Sequence, residues 1–331
     1  MSRPDRFTRV PWRAVVVFTV VAMALAWAVA IPVWVMDPAR PGYQALFGAI
    51  ASGMMFTPLV ATLAVVFVLK SPRAHWLRFT GIWPLRPARR VVWFIVLGLL
   101  SPIALVALSV WVASLHGWIQ LDLVAFSGFA EVLDAQLATM GMDASSLGLP
   151  PVSLLVLAQI AAIPLGALFN CLFAFGEEVG WRGWLLPALR PLGTWPALLI
   201  SSAIWGLWHA PVILLGYNFN RTDIVGVLLM VAGCIAWGVF FGWLRLRSAS
   251  LWPAVIAHGS LNAAAGLFML LGTAGEQPDP ALVSPLGVAG WIVLAACVLV
   301  LFACGQFKKQ PELAQKPQDS EEISVTTTLS E

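Results

Sequence analysis

Apolar residues run in long blocks along this chain, and polar residues are confined to the short intervals between them. A spanning helix needs about 20 consecutive apolar residues. Blocks at residues 14–36, 46–69, 91–115, 152–189, 196–216, 224–244, 251–271 and 286–304 meet that length, the fourth with only part of it spanning. Turn and charge signals such as Asp37-Pro38, Lys70-Ser71-Pro72 and Gly272 separate them. The pattern predicts an all-α polytopic membrane protein with eight transmembrane helices. No long polar insert divides the blocks, so residues 1–305 read as a single membrane domain. Residues 306–331 are polar, rich in Lys, Gln, Glu, Ser and Thr, and read as a disordered cytoplasmic tail. The loop at 116–151 is the one long outer loop; it holds Asp122, Glu131, Asp134 and Asp143 and no basic residue. Within it Val124, Phe126, Phe129, Val132, Leu133 and Leu137 predict a short amphipathic helix on the outer interface.

Composition removes the soluble alternative. Hydrophobic residues make up 60% of the chain and charged residues 11%, where a soluble domain carries about 25% charged. The basic residues then set orientation. Seventeen of the nineteen fall at the N-terminal tail, the even-numbered intervals or the C-terminal tail, leaving Arg40 and Arg221 for the opposite side. Positive charge collects on the cytoplasmic face, so both termini are expected there, as eight spans require. Ala28-Val29-Ala30 resembles a signal-peptide cleavage site, but the apolar run before it is too long, so the first span is retained. Cys171, Cys234, Cys297 and Cys304 form no CxxC pair and read as small buried hydrophobes. No internal repeat of the kind an inverted-repeat transporter carries is evident.

Three polar stretches interrupt the apolar blocks: Glu177-Glu178-Val179-Gly180-Trp181-Arg182, Trp205-Gly206-Leu207-Trp208-His209 and His258-Gly259-Ser260-Leu261-Asn262. A charged group inside a membrane segment costs about 2.5–3.5 kcal/mol, so such groups persist when paired or used. If the fourth helix runs on to Leu189, Glu177 lies 13 residues from Arg190, and His209 lies 13 residues past Pro196. Both are then about 20 Å from one end of antiparallel neighbours. Pro187 opposes this continuation, since proline ends or bends a helix. Glu178 and Arg182 stand i,i+4 with the acid first, the favourable order for an ion pair. That leaves Glu177 free to act as a general base; the reverse assignment of the two acids stays open. His258 and Asn262 are also i,i+4 and share a helix face. Pro211 frees backbone groups just beyond His209. His75 and His116 lie at loop or span ends and read as interfacial.

This set supports two routes to amide hydrolysis. Glu177 and His209 activate a water while His258 and Asn262 donate to the developing oxyanion. Alternatively Glu177, His209 and His258 bind Zn²⁺ and lower the pKa of its water. The HExxH spacing is absent and Asn is a poor zinc ligand, so the expectation is no cofactor, with zinc as the competitor.

The three stretches, matching EExxxR, FxxxH-like and HxxxN patterns in that order, resemble the CPBP family of intramembrane proteases, also called the CAAX prenyl protease or Abi family. The resemblance covers about residues 152–271. It implies a membrane-embedded endopeptidase in which Glu177 and His209 activate water, His258 and Asn262 form the oxyanion site, and Glu178 and Arg182 support the geometry. The chain departs at Trp205, where the family motif has Phe; an aromatic is retained, so its packing role survives. A zinc-dependent and a metal-free glutamate mechanism compete for the family. Membrane lipid and a hydrophobic or lipidated peptide are the implied partners, without nucleic acid, and a bacterial inner membrane is the expected location. Relatives linked to bacteriocin immunity make a non-proteolytic scaffold one alternative. A proton-coupled transporter using the same groups as a relay is another.

Overall fold

The computed structural model describes residues 7–143 and 147–308. Arg3, Arg6 and residues 309–331 of the expected tail, with Lys309 and Lys316, lie outside these residues. The principal helices are α1 (Trp12–Val35), α2 (Tyr43–Met54), α3 (Thr57–Leu63), α4 (Ala88–Leu115), α5 (Ser127–Thr139), α6 (Val152–Glu178), α7 (Thr194–Trp208), α8 (Ile224–Ser248), α9 (Trp252–Ala264) and α10 (Val288–Ala303). No strand occurs among the described residues; one isolated bridge joins Leu121 to Gly272. The chain is all-α, as its apolar blocks predict.

Among the described residues seven helical stretches are long and apolar enough to cross a membrane. The expected span at 196–216 is not one of them. Its helix α7 has 15 residues and stops at Trp208. Pro211, with no N–H to give, sits in the first turn of a separate short helix, Ala210–Ile213, and His209 is the break between them.

The fourth apolar block does run on past Arg182, forming one 41-residue helical stretch from Val152 to Leu192. It does so by changing its winding. α6 ends at Glu178, a π-helical segment covers Val179–Leu185, and a last α-turn follows at Leu186–Leu189. The Leu186 N–H accordingly reaches back to the Trp181 carbonyl. Pro187 then falls in the first turn of the closing α-segment, where a missing N–H is tolerated. π-helical turns are rare and occur often at functional sites.

Two basic residues counted as loop charges are buried instead. Arg182 lies in the π-helical segment, 2% exposed, and Arg245 lies in α8, 0% exposed, donating to the Phe79 carbonyl at 3.0 Å. A long apolar stem lets arginine enter a helix interior when oxygens meet its head group, which a count of charges between spans does not register. The start of the expected tail is also packed: Gln306 accepts from Arg247 at 3.1 Å, and the buried Phe307 ring lies 4.7 Å from that of Trp195. Of the cysteines, Cys234 is buried, Cys171 and Cys297 are half-buried, and Cys304 is exposed.

α9 packs between α4 and α6, and α7 packs on α8. The α6–α9 contact depends on Gly259, where an added Cβ would lie 2.6 Å from the Ala167 carbonyl oxygen. α8 is firmly bounded: the Asp223 carboxylate caps its N-terminus by accepting from Gly226 N–H at 3.0 Å, and Arg245 and Arg247 occupy its last turn. The amphipathic helix predicted in the long loop is present as α5. Ahead of it, the Ser127 hydroxyl and then the amides of Ala125, Ser127 and Val124 hold the Asp122 carboxyl well below the usual carboxylate range. α5 is tied to the segment after α9, where Glu131 accepts from Gly275 N–H at 2.7 Å.

Candidate active site

The end of α6 and the π-helical segment bring Glu177, Glu178 and Arg182 into the interior, 2%, 0% and 2% exposed. The ion pair expected from their spacing forms, with Arg182 Nη1 donating to Glu178 Oε1 at 2.8 Å. The same oxygen has a second partner 80 residues away, His258 Nδ1 at 2.9 Å. A carboxylate oxygen only accepts, so His258 carries its proton on Nδ1, and Nε2 faces away from Glu178. The His258 ring is held flat on Phe241, centroids 5.6 Å apart, and edge-on to Trp205 at 5.4 Å.

Glu177 takes no part in that pair. Its Oε2 accepts from the indole N–H of Trp205 at 2.6 Å. The Arg182 guanidinium lies 4.1 Å above the Trp205 ring, so the two adjacent acids are linked through one cation and one aromatic ring.

His209 is oriented by the break at the end of α7. In an unbroken helix its main-chain N–H would bond to the Trp205 carbonyl; it bonds to Gly206 at 3.2 Å instead. The released carbonyl accepts from the imidazole Nδ1 at 2.9 Å. Carbonyls do not donate, so His209 is protonated on Nδ1 and presents Nε2 as the acceptor. The Cys234 sulfur lies 3.8 Å from the same Nδ1. His209 is 8% exposed, and its ring meets Trp208 edge-on at 4.7 Å.

Asn262 stands one turn beyond His258 on α9. It is exposed, and none of the hydrogen bonds joining the cluster reaches it. Glu177, Glu178, Arg182, Trp205 and His258 are therefore drawn into one connected cluster, His209 is tied to it through the Trp205 carbonyl, and Asn262 stays outside those hydrogen bonds. Among the described residues no three His, Cys, Asp or Glu side chains lie close enough to hold a metal ion. In both His209 and His258 the Nδ1 atom is engaged, by a carbonyl and a carboxylate respectively, and Nε2 is the nitrogen left for a further partner.

Two contributors were not legible as site residues: Phe241 and Ser202 lie in apolar helices with nothing local to distinguish them. Trp205 was legible as a supporting residue of the second polar stretch, but its hydrogen bond to Glu177 was not. Ser202 and Gly238 shape the space around Arg182: a Cβ at Gly238 would strike Ser202 Oγ and lie 2.9 Å from Arg182 Nη2. Gly238→Ala is therefore expected to displace the guanidinium, destabilising the protein by about 1–3 kcal/mol as overpacking does. Thermal unfolding in detergent measures it; a variant as stable as the parent would show that Arg182 has room to move.

Residues 157–264 match the family model for Rce1-like type II CAAX prenyl endopeptidases. The matched segment holds all three polar stretches and every residue of the cluster. The match over residues 157–264 makes this part of the chain similar to the CAAX endopeptidases. It supports a membrane-embedded endopeptidase of that type, built on a multi-pass helical scaffold. No curated protein sequence matches the chain.

Proposed function

We propose that the protein hydrolyses a peptide bond in an apolar or lipid-bearing membrane peptide, with water activated by Glu177 and His209. The observation that carries this is the division of labour at the two acids. Glu178 is spent on Arg182 and His258, whereas Glu177 has one oxygen bound to Trp205 and the other unspent. That second oxygen accepts a proton from a water, and His209 Nε2 accepts the water's other hydrogen bond and fixes its direction. The oxygen of the water attacks the peptide carbonyl carbon, and negative charge develops on the carbonyl oxygen. His258 as an imidazolium donates through both nitrogens, Nδ1 to Glu178 and Nε2 to that oxyanion. With Glu177 protonated, Glu178, Arg182 and His258 sum to one positive charge, which the oxyanion balances inside the buried cluster. The Asn262 amide supplies a second donor from the next turn of α9. The proton taken by Glu177 passes to the leaving amine as the tetrahedral centre collapses.

Each of these roles belongs to a side chain, and no step runs through a metal. The exposed position of Asn262 favours entry of the substrate at that end. The asymmetry of the basic residues outside the helices supports a cytoplasmic location for both termini, with the short α7 and its following turn completing the even number of crossings.

The test is cleavage by the purified protein in detergent of a fluorogenic peptide carrying an isoprenyl or acyl anchor, beside the same peptide unanchored. Cleavage of the anchored peptide, undiminished by a chelator, is the expected result. Activity that chelator abolishes and zinc restores would overturn the metal-free mechanism.

A further inference from the structure

We propose that the Trp205 indole N–H is the group that positions the Glu177 carboxylate, and that Arg182 acts on Glu177 through the Trp205 ring. The proposal rests on the hydrolytic reading above for its catalytic meaning, but the contact itself stands on the geometry. Glu177 is 2% exposed, so its carboxylate has little water to orient it, and the bond from Trp205 at 2.6 Å fixes Oε2. Hydrogen bonds to a charged group are shorter and stronger than neutral ones. With Oε2 held, the other oxygen has one direction left, toward the water it deprotonates.

The donor is itself held from two sides. The Arg182 guanidinium rests 4.1 Å over its ring, a contact that strengthens when desolvated. A cation on the ring face also draws electron density out of the indole and makes its N–H a better donor. Arg182 in turn is fixed by Glu178 at 2.8 Å. The order Glu178, Arg182, Trp205, Glu177 thus passes orientation from one acid to its neighbour through groups whose positions are all constrained. Trp205 also holds His209 through its main-chain carbonyl at 2.9 Å, so one residue sets both groups that contact the water. The phenylalanine of the family pattern keeps the ring but has no N–H. In this chain the substitution is therefore a change of hydrogen bonding rather than a change of packing alone.

Trp205 is a positioning residue, and its test must separate the N–H from the ring. Replacing Trp205 with benzothienylalanine exchanges the N–H for sulfur and keeps the ring outline. It is expected to lower kcat about 10–100-fold with KM changed less than about twofold. Trp205→Phe should lower kcat by a similar factor. A benzothienylalanine protein with the parent kcat would overturn the proposal. A second readout does not depend on turnover. In a proton–nitrogen NMR spectrum of the detergent-solubilised protein, the indole resonance missing from Trp205→Phe should shift in Glu177→Gln. No shift overturns the proposal. A shift in Glu177→Gln when the parent protein itself cleaves no peptide supports the Trp205–Glu177 contact and counts instead against the hydrolytic reading.

Discussion

Glu177→Ala is expected to lower peptide cleavage by about 10²–10⁴-fold, the range a positioned general base supplies. The fold should survive, because Glu177 stands outside the Glu178–Arg182–His258 network. What the substitution leaves behind is a buried Trp205 N–H without its acceptor, a cost of about 1–3 kcal/mol. Initial rates in detergent, with circular dichroism and thermal unfolding on the same sample, measure both quantities. A folded Glu177→Ala protein that cleaves at the parent rate would end the mechanism proposed here.

Glu178→Ala should behave differently. It strips Arg182 of its 2.8 Å counterion and His258 of its 2.9 Å acceptor, in a place where Glu178 itself is fully buried. Removing one partner of a buried pair leaves an uncompensated charge and typically destabilises by about 3–5 kcal/mol. The expected result is a large fall in unfolding temperature or denaturant midpoint, with activity lost alongside the fold. The contrast between the two variants decides the assignment of the acids. If Glu178→Ala is as stable as the parent and loses only turnover, the roles are reversed and Glu178 is the base.

Much of the site was open to a reading of local spacing. Glu178 and Arg182 meet because residues i and i+4 share a helix face, and that holds wherever the helix sits. The continuation of the fourth block beyond Arg182, on which the depth of Glu177 depends, was legible from the apolar Trp181, Trp184, Leu185 and Leu186. Its π-helical winding was not, because the winding answers to Pro187 and to the surrounding packing together. The helix expected at 196–216 is broken for a related reason. Hydropathy registers length, while the stop at His209 comes from the missing N–H of Pro211 two residues later.

By itself the sequence determined that this is a helical membrane protein and which three polar stretches interrupt its apolar helices. Apolar length and the membrane cost of charge are properties of the chain alone. The tertiary structure decided how those stretches are wired. It gave Glu178 a second partner in His258, gave Glu177 an indole donor, turned His209 by a helix break and left Asn262 exposed. Hydrogen bonds between residues 28 and 80 positions apart depend on helix packing to within a few tenths of an ångström. Periodicity along one helix carries no record of which neighbour its face will meet.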